Sequence, residues 1–367
     1  MRGESTIRGL AANWDIEVER RDFGAARVVE RPQERLEEGE VLLAVERLAL
    51  TANVLTYASL GESLRYWELF PATSGRGRIP AWGYGSVAAS RAPDFATGAH
   101  YFGLFPMSSQ LVVRPRKTRA GFADQQPHRR PLNPVYNQYF DAGPRALAEM
   151  ENNALFRPLV IAAFVLNDYL RESSFFGADA VLITSASSKT ALALAMLLEG
   201  AVETVGATSL QSLAFVEPLG VYSRTFAYGA PRVDSAKKTL IVDFAGDEGV
   251  LAQIETQVGD SLARVCRVGR THWQTAAGGF PEAARDRVEF FFAPTHIERL
   301  VRDWGADRFE QKLVETLDAF ALRSNAWFSR TYVDGSAGLI DAYRNLAAHK
   351  IGPSHLLVAR PNTCACP

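Results

Sequence analysis

Residues 178–200 read ADAVLITSASSKTALALAMLLEG, and this stretch decides the fold. Its residues 179–184 are a short apolar run of the kind buried on both faces in a parallel sheet. Residues 189–199 are strong helix formers, and Gly200 follows as a stop signal. Strand, tight turn and helix in that order open a βα unit in which a phosphate group can rest on the helix N-terminus. The pattern continues outward. Strands are predicted at 204–207, 220–228, 239–243, 262–268 and 288–293, with helices at 210–218 and 249–258. Six strands alternating with helical stretches predict an α/β, Rossmann-like, doubly wound parallel sheet.

The residues before it follow a different rule. Residues 40–50 (EVLLAVERLAL), 80–87 (PAWGYGSV), 100–105 and 110–113 read as short strands between Gly/Pro turns, which predicts a β-rich barrel or sandwich. A tight bend is expected at the glycines of 80–87, a loop at 76–80 and a helical turn at 51–60. Residues 114–153 contain Pro115, Pro127, Pro131, Pro134 and Pro144 and read as a long irregular connection. Helices are expected at 156–170 and along 297–322. A strand at 330–333, a helix near 338–349 and a strand at 355–358 do not extend the βαβ pattern, so the chain is expected to return to its first domain. The expected division is 1–153 with 326–367 for the β-rich domain and 154–325 for the parallel one.

A chain of 367 residues and 40.3 kDa accommodates about two such domains. Lys plus Arg number 40 and Asp plus Glu 41, a balance that gives no electrostatic argument for a nucleic-acid or anionic-membrane partner. No apolar run approaches the ~20 residues of a membrane span. The opening residues lack the apolar core of a secretory leader. The three cysteines, Cys266, Cys364 and Cys366, are too few for a disulfide framework, so a cytoplasmic protein is expected. Only six of the basic residues are Lys, so Lys189 at the decisive turn is not casual surface filler.

That turn reads Thr184-Ser185-Ala186-Ser187-Ser188-Lys189-Thr190-Ala191, with Ser and Ala where glycines are expected. Ser185, Ser187, Ser188 and Thr190, their amides and the Lys189 ammonium are suited to phosphate oxygens. The same residues also read as a capped helix start. A nucleoside-triphosphate loop is excluded because Ile183 and Ser188 stand where its glycines belong. A Ser-x-x-Lys nucleophile is excluded by Ala186, and no Gly-x-Ser-x-Gly elbow exists. At the end of the second strand, Thr208 and Ser209 stand where an acid would hold the ribose hydroxyls of NAD. Their neutrality favours a 2′-phosphate, hence NADPH.

The order of domains, with the segments EVLLAVERLALTANVLTYASLG, PAWGYGSV, FATGAHYFGLF and FVEPLGVY, resembles the medium-chain dehydrogenase/reductase superfamily, in its zinc-free quinone and enoyl reductase branch. The segments LTANVLTY, FGLFPMS, HRRPLNPVYNQY, FRPL, TSASSKTALALA, GRTHW and FFAPTHIERLVRDWG are similar to a domain-of-unknown-function family branching from it. The resemblance implies a GroES-like β-rich domain, a cleft between the domains, hydride transfer and a homodimer. It departs from the family in the lost glycines and in lacking the Cys and His zinc ligands of the alcohol dehydrogenases.

Site candidates follow from the resemblance and from placement. Asn53 and Tyr66 fall where reductases carry an Asn and a Tyr acid near the nicotinamide, and Tyr57 is similar. Each also reads as an ordinary turn or packing residue. Trp67 adjoins Tyr66 and is expected to contact the substrate. His128, Arg129, Tyr136 and Asn137 share the irregular connection and read either as substrate contacts or as loop anchors. Thr271 and His272 follow the fifth strand at the carboxyl edge, where ligands bind, and His suits proton transfer. The expected function is an NADPH-dependent, metal-free reductase of a small to medium, apolar, oxygenated substrate. The rival is a dehydrogenase-like chain with a non-redox role, such as cofactor-free lyase or hydratase chemistry or ligand binding.

Overall fold

In the computed structural model, which describes residues 12–143, 145–230, 233–268 and 287–363, the chain divides into two units. Unit 1 comprises Met1–Leu155, Ser329–Ile351 and His355–Pro367; unit 2 comprises Phe156–Phe328 and Gly352–Ser354.

Unit 1 begins with the hairpin β1 (Trp14–Glu19) and β2 (Ala26–Glu30), which buries Ile16 and Val18 completely. Then come β3 (Val41–Leu50), α1 (Asn53–Ser59), β4 (Arg76–Gly77), β5 (Pro80–Ser90), β6 (His100–Pro106) and β7 (Gln110–Val113). The antiparallel pair β3–β5 carries two register shifts. No turn interrupts 80–87: β5 is one continuous strand, with one of the register shifts falling opposite Tyr84 and Gly85. Its glycines serve close approach instead: a Cβ on Gly83 would lie 2.0 Å from the Arg47 carbonyl oxygen.

The expected irregular connection is a correction as well. Residues 114–153 contain β8 (Pro115–Thr118), β9 (Gly121–Asp124), β10 (Gln138–Asp141) and the start of α2 (Leu147–Glu172). Pro115 is tolerated in β8 because β8 is the outermost strand of its sheet, where a missing N–H breaks no ladder, while Pro127, Pro131 and Pro134 lie in the strand-free stretch between β9 and β10. Gly121, at φ +144°, turns the chain between β8 and β9.

Unit 2 holds β11 (Ala180–Ile183), α3 (Lys189–Leu198), β12 (Glu203–Thr208), α4 (Leu210–Val216), β13 (Arg224–Ala227), β14 (Thr239–Asp243), α5 (Glu248–Val258), β15 (Leu262–Arg267) and β16 (Val288–Phe290). The strand order is β13-β12-β11-β14-β15-β16 and every pairing is parallel. Leu182, Val205, Phe226, Ile241 and Val265 from one face pack with Leu251 and Ile254 of α5. The direction of strand addition reverses between β11 and β14, which is where such sheets open a crevice at their carboxyl ends. The single helix expected over 297–322 is two, α6 (Ala293–Trp304) and α7 (Ala306–Ser324). Gly305 between them, at φ 83°, leaves the helical region and stops the first.

The chain returns to unit 1 through β17 (Ser329–Asp334), α8 (Gly335–Ala347) and β18 (His355–Arg360). β18 lies between β17, to which it is parallel, and β3, to which it is antiparallel. Among the described residues, no helix is long and apolar enough to cross a membrane.

The close approach at Gly83 gives a direct check. Gly83→Ala drives a methyl group into the Arg47 carbonyl, and such overpacking costs about 1–3 kcal/mol. A lower thermal midpoint in calorimetry is the expected result; an unchanged midpoint would show that the strands can part freely.

Candidate functional site

The turn after β11 lies at the strand-order reversal and is built by side chains. The Thr184 hydroxyl donates to Asp243 Oδ1 at 2.7 Å and accepts from the amides of Phe244 (2.9 Å) and Ala245 (3.0 Å). Asp243 Oδ1 also accepts from the Ala245 and Gly246 amides, at 3.1 and 3.2 Å. Burial pushes the Asp243 carboxyl upward, against the pull of these bonds and of Arg267. Asp243 therefore ties two strand ends together, while Asp247 caps α5.

Ser185 follows at φ 48°, in the left-handed region that favours glycine. Ser188 is the N-cap of α3, its Oγ accepting from the Ala191 amide at 3.3 Å, so the capped-helix reading holds for this residue. Ser187 Oγ receives the Thr208 hydroxyl at 3.3 Å. The amides of Ser187 and Thr190 have no partner among the described residues, as the first N–H groups of a helix do not. Lys189 Nζ donates to the Pro353 carbonyl at 3.2 Å and stands 5.0 Å over the Phe328 ring. Burial pushes its ammonium down to about 8.

The two residues expected to hold a 2′-phosphate differ. Thr208 is buried and its hydroxyl is spent on Ser187. Ser209 is exposed and caps α4, accepting from the Ser212 amide at 3.3 Å.

In unit 1 the structure brings together Asn53, Tyr57, Tyr66 and Tyr136. The rings of Tyr57 and Tyr66 meet edge to face at 5.0 Å, and those of Tyr66 and Tyr136 at 5.3 Å. The Tyr66 and Tyr136 hydroxyls share a hydrogen bond of 2.9 Å. Trp82 Nε1 donates to the Tyr57 hydroxyl at 2.8 Å. Desolvation pushes all three phenols above their ordinary value. Trp82 escaped the sequence reading because it sits among the glycines of β5, whose alternation gives its face but not its partner.

Three expected substrate contacts are corrected. Trp67 is 2% exposed, and its ring fills the space that Cβ atoms on Gly61 and Gly77 would occupy, so it is a packing residue. Arg129 is 1% exposed and bonds Asn137 Oδ1 (3.0 Å), the Tyr139 hydroxyl (3.1 Å) and the Tyr136 carbonyl. Its NH1 lies 3.6 Å from Asp124 and its guanidinium 4.9 Å over Phe70. Asn137 returns a bond to the Arg129 carbonyl at 2.8 Å. These bonds anchor the loop. His128 lines a polar cleft of about 1010 Å³ with Asp15, Arg31, Arg78 and Asp124, and the tyrosine cluster is not part of that lining. Burial lowers the His128 imidazolium, so it is neutral near pH 7. Thr271 and His272 lie outside the described residues. Among the described residues, no three His, Cys, Asp or Glu side chains gather as a metal site would need.

The sequence reading also missed Tyr222 and Tyr228. The Tyr228 hydroxyl accepts from the Ser185 amide at 2.8 Å, and the Tyr222 hydroxyl donates to the Ala186 carbonyl at 2.9 Å. Both flank β13, two strands from the turn, and no local spacing announces such a contact.

The chain belongs to the family described as "Protein of unknown function (DUF2855)", whose model matches residues 48–352. Among curated proteins nothing matches. Among solved structures it resembles CurA from Vibrio vulnificus in complex with NADPH, at 11% identity and a TM-score of 0.62 over 95% of this chain and 99% of that one. It resembles S. aureus TarJ in complex with NADPH at 10% identity and a TM-score of 0.56, over 96% and 100%. It also resembles the yhdH oxidoreductase of Salmonella enterica in complex with NADP, at 14% identity and a TM-score of 0.52, over 95% and 99%. At these identities the likeness is one of fold: a Rossmann-like parallel sheet joined to a GroES-like β-rich unit.

Arg129 supplies the test of loop anchoring. Arg129→Leu leaves the buried Asp124 carboxylate without its countercharge, a change that costs about 3–5 kcal/mol in such sites. A large drop in the urea midpoint is expected. A variant as stable as the parent would return Arg129 to the list of ligand contacts.

Proposed function

We propose, from the fold shared with reductases and the geometry of the turn after β11, that the protein is an NADPH-dependent oxidoreductase. Its substrate would be a small to medium, apolar, oxygenated molecule with an activated C=C or C=O bond, and the reaction would need no metal. The observation that carries the reading is the start of α3: amides without partners among the described residues, at the strand-order reversal of a six-stranded parallel sheet. The NADPH complexes of CurA and TarJ, which share the fold, support the same cofactor.

The residues of the turn fit a diphosphate. The amides of Ser187 and Thr190, the Ser185, Ser187 and Thr190 hydroxyls and the helix N-terminus offer donors, and Lys189 adds positive charge nearby. Ser188 contributes as the cap that fixes the helix start. Ser209, exposed beyond β12 with no carboxylate beside it, suits a 2′-phosphate better than the buried Thr208. Bound NADPH supplies a hydride.

The tyrosine cluster supplies the proton side of the chemistry. Because burial raises all three phenols, they stay neutral near pH 7 and act as donors, not bases. Of the Tyr66–Tyr136 hydroxyl pair, one proton is spent on the mutual bond and the other is left for a substrate oxygen that gains negative charge. Trp82 holds Tyr57 beside them. The reading includes a cytoplasmic homodimer, the commonest closed assembly.

Titration with NADPH and NADH, followed by nicotinamide fluorescence, tests the cofactor. NADPH is expected to bind the more tightly, and failure of both at millimolar concentration overturns the reading. Lys189 is cationic below about pH 8 and neutral above it, so NADPH affinity should be flat below that pH and fall as pH rises through it. Lys189→Ala should weaken NADPH by ~10-fold, the worth of one charge-assisted contact, and abolish the pH dependence. With an enone or quinone that the wild type reduces, Tyr66→Phe should lower kcat by ~10²-fold or more while leaving NADPH affinity unchanged.

A further inference from the structure

We propose that Tyr222 and Tyr228 form a clamp that takes over, in the turn after β11, the conformational task of the missing glycines. The inference rests on the dinucleotide reading for its purpose and on geometry for its existence. A chain leaving β11 must reverse sharply to enter α3, and it does so with Ser185 at φ 48°. Glycine adopts that conformation freely, whereas a serine needs its surroundings to hold it there. The surroundings are specific. The Ser185 amide donates to the Tyr228 hydroxyl at 2.8 Å, the Ala186 amide to the Ala207 carbonyl at 3.0 Å, and the Tyr222 hydroxyl to the Ala186 carbonyl at 2.9 Å. The Ser188 amide then closes the turn on the Ser185 carbonyl at 2.7 Å.

The clamp requires a glycine elsewhere. A Cβ on Gly206 of β12 would stand 3.0 Å from both the Tyr222 ring and the Ala186 Cβ. The demand for a bare backbone has moved from the turn to the strand beneath it. Desolvation raises both phenols above their ordinary value, so both hydroxyls keep their protons across the neutral range. Tyr222 and Tyr228 are thus positioning residues: they fix Ser185 and Ala186, and through them the direction of the Ser187 and Thr190 amides.

The experiment has two readouts. Amide hydrogen exchange at Ser185 needs no cofactor. Tyr228→Phe should speed it at least ~10-fold, the effect of losing one hydrogen bond of ordinary strength. In the same variant the NADPH Kd should rise ~10-fold, and Ser185→Gly added to it should restore the Kd, because glycine holds the turn without the tyrosine. Gly206→Ala, a milder change, should move both readouts the same way by displacing Tyr222. Unchanged Ser185 exchange in Tyr228→Phe overturns the clamp. Faster exchange with unaltered NADPH affinity, or no rescue by Ser185→Gly, overturns its service to a phosphate. Absence of NADPH binding by the wild type would instead overturn the dinucleotide reading, and with it that service, while the exchange measurement still decides whether the clamp exists.

Discussion

One hydroxyl organises the centre of unit 2. Thr184 gives its proton to Asp243 and takes the Phe244 and Ala245 amides in return, joining the carboxyl ends of the two strands between which the strand order reverses. Neither strand end could stand alone. Asp243 is fully buried, and a carboxylate in that position is tolerable only because a hydroxyl, two amides and Arg267 surround it. The turn at Ser185 starts from this fixed point.

The parallel sheet was legible because buried strands and amphipathic helices leave a strong local signal. The run at 178–200 carries it undiluted, and the six expected strands form one parallel sheet. The failures have equally physical causes. Proline was read as a mark of irregularity at 114–153, but a proline on an outermost strand breaks no ladder. Glycines 83 and 85 were read as a bend, but in a strand a missing side chain also lets another backbone approach. An uninterrupted helical period over 297–322 concealed the left-handed Gly305. For the site, the sequence indicated the turn and several members of the tyrosine cluster. It could not indicate Tyr222, Tyr228 or Trp82, whose roles are defined by partners distant along the chain.

Unit 1 shows how a polar cluster can be kept rigid. Arg129 is the kind of residue that sequence reasoning assigns to a ligand: charged, on a loop, beside a histidine. Its burial reverses the assignment. A guanidinium that bonds Asn137, Tyr139 and the Tyr136 backbone determines where the Tyr136 ring stands, and so where its hydroxyl meets that of Tyr66. The distinction between anchor and contact is thus one of exposure, which no local pattern encodes.

The place of β18 has a consequence for the order in which the chain can fold. β18 lies second in its sheet, between β17 and β3, yet its residues follow the whole six-stranded sheet of unit 2 along the chain. Unit 2 is nearly contiguous and has its six strands in hand once β16 has left the ribosome. Unit 1, though begun first, must wait for residues 355–360. Until they arrive, the edge of β3 that will receive Leu357 and Ala359 stands unpaired, an open template for another strand. The six-stranded sheet of unit 2 can therefore be complete while the sheet of its host still lacks β18.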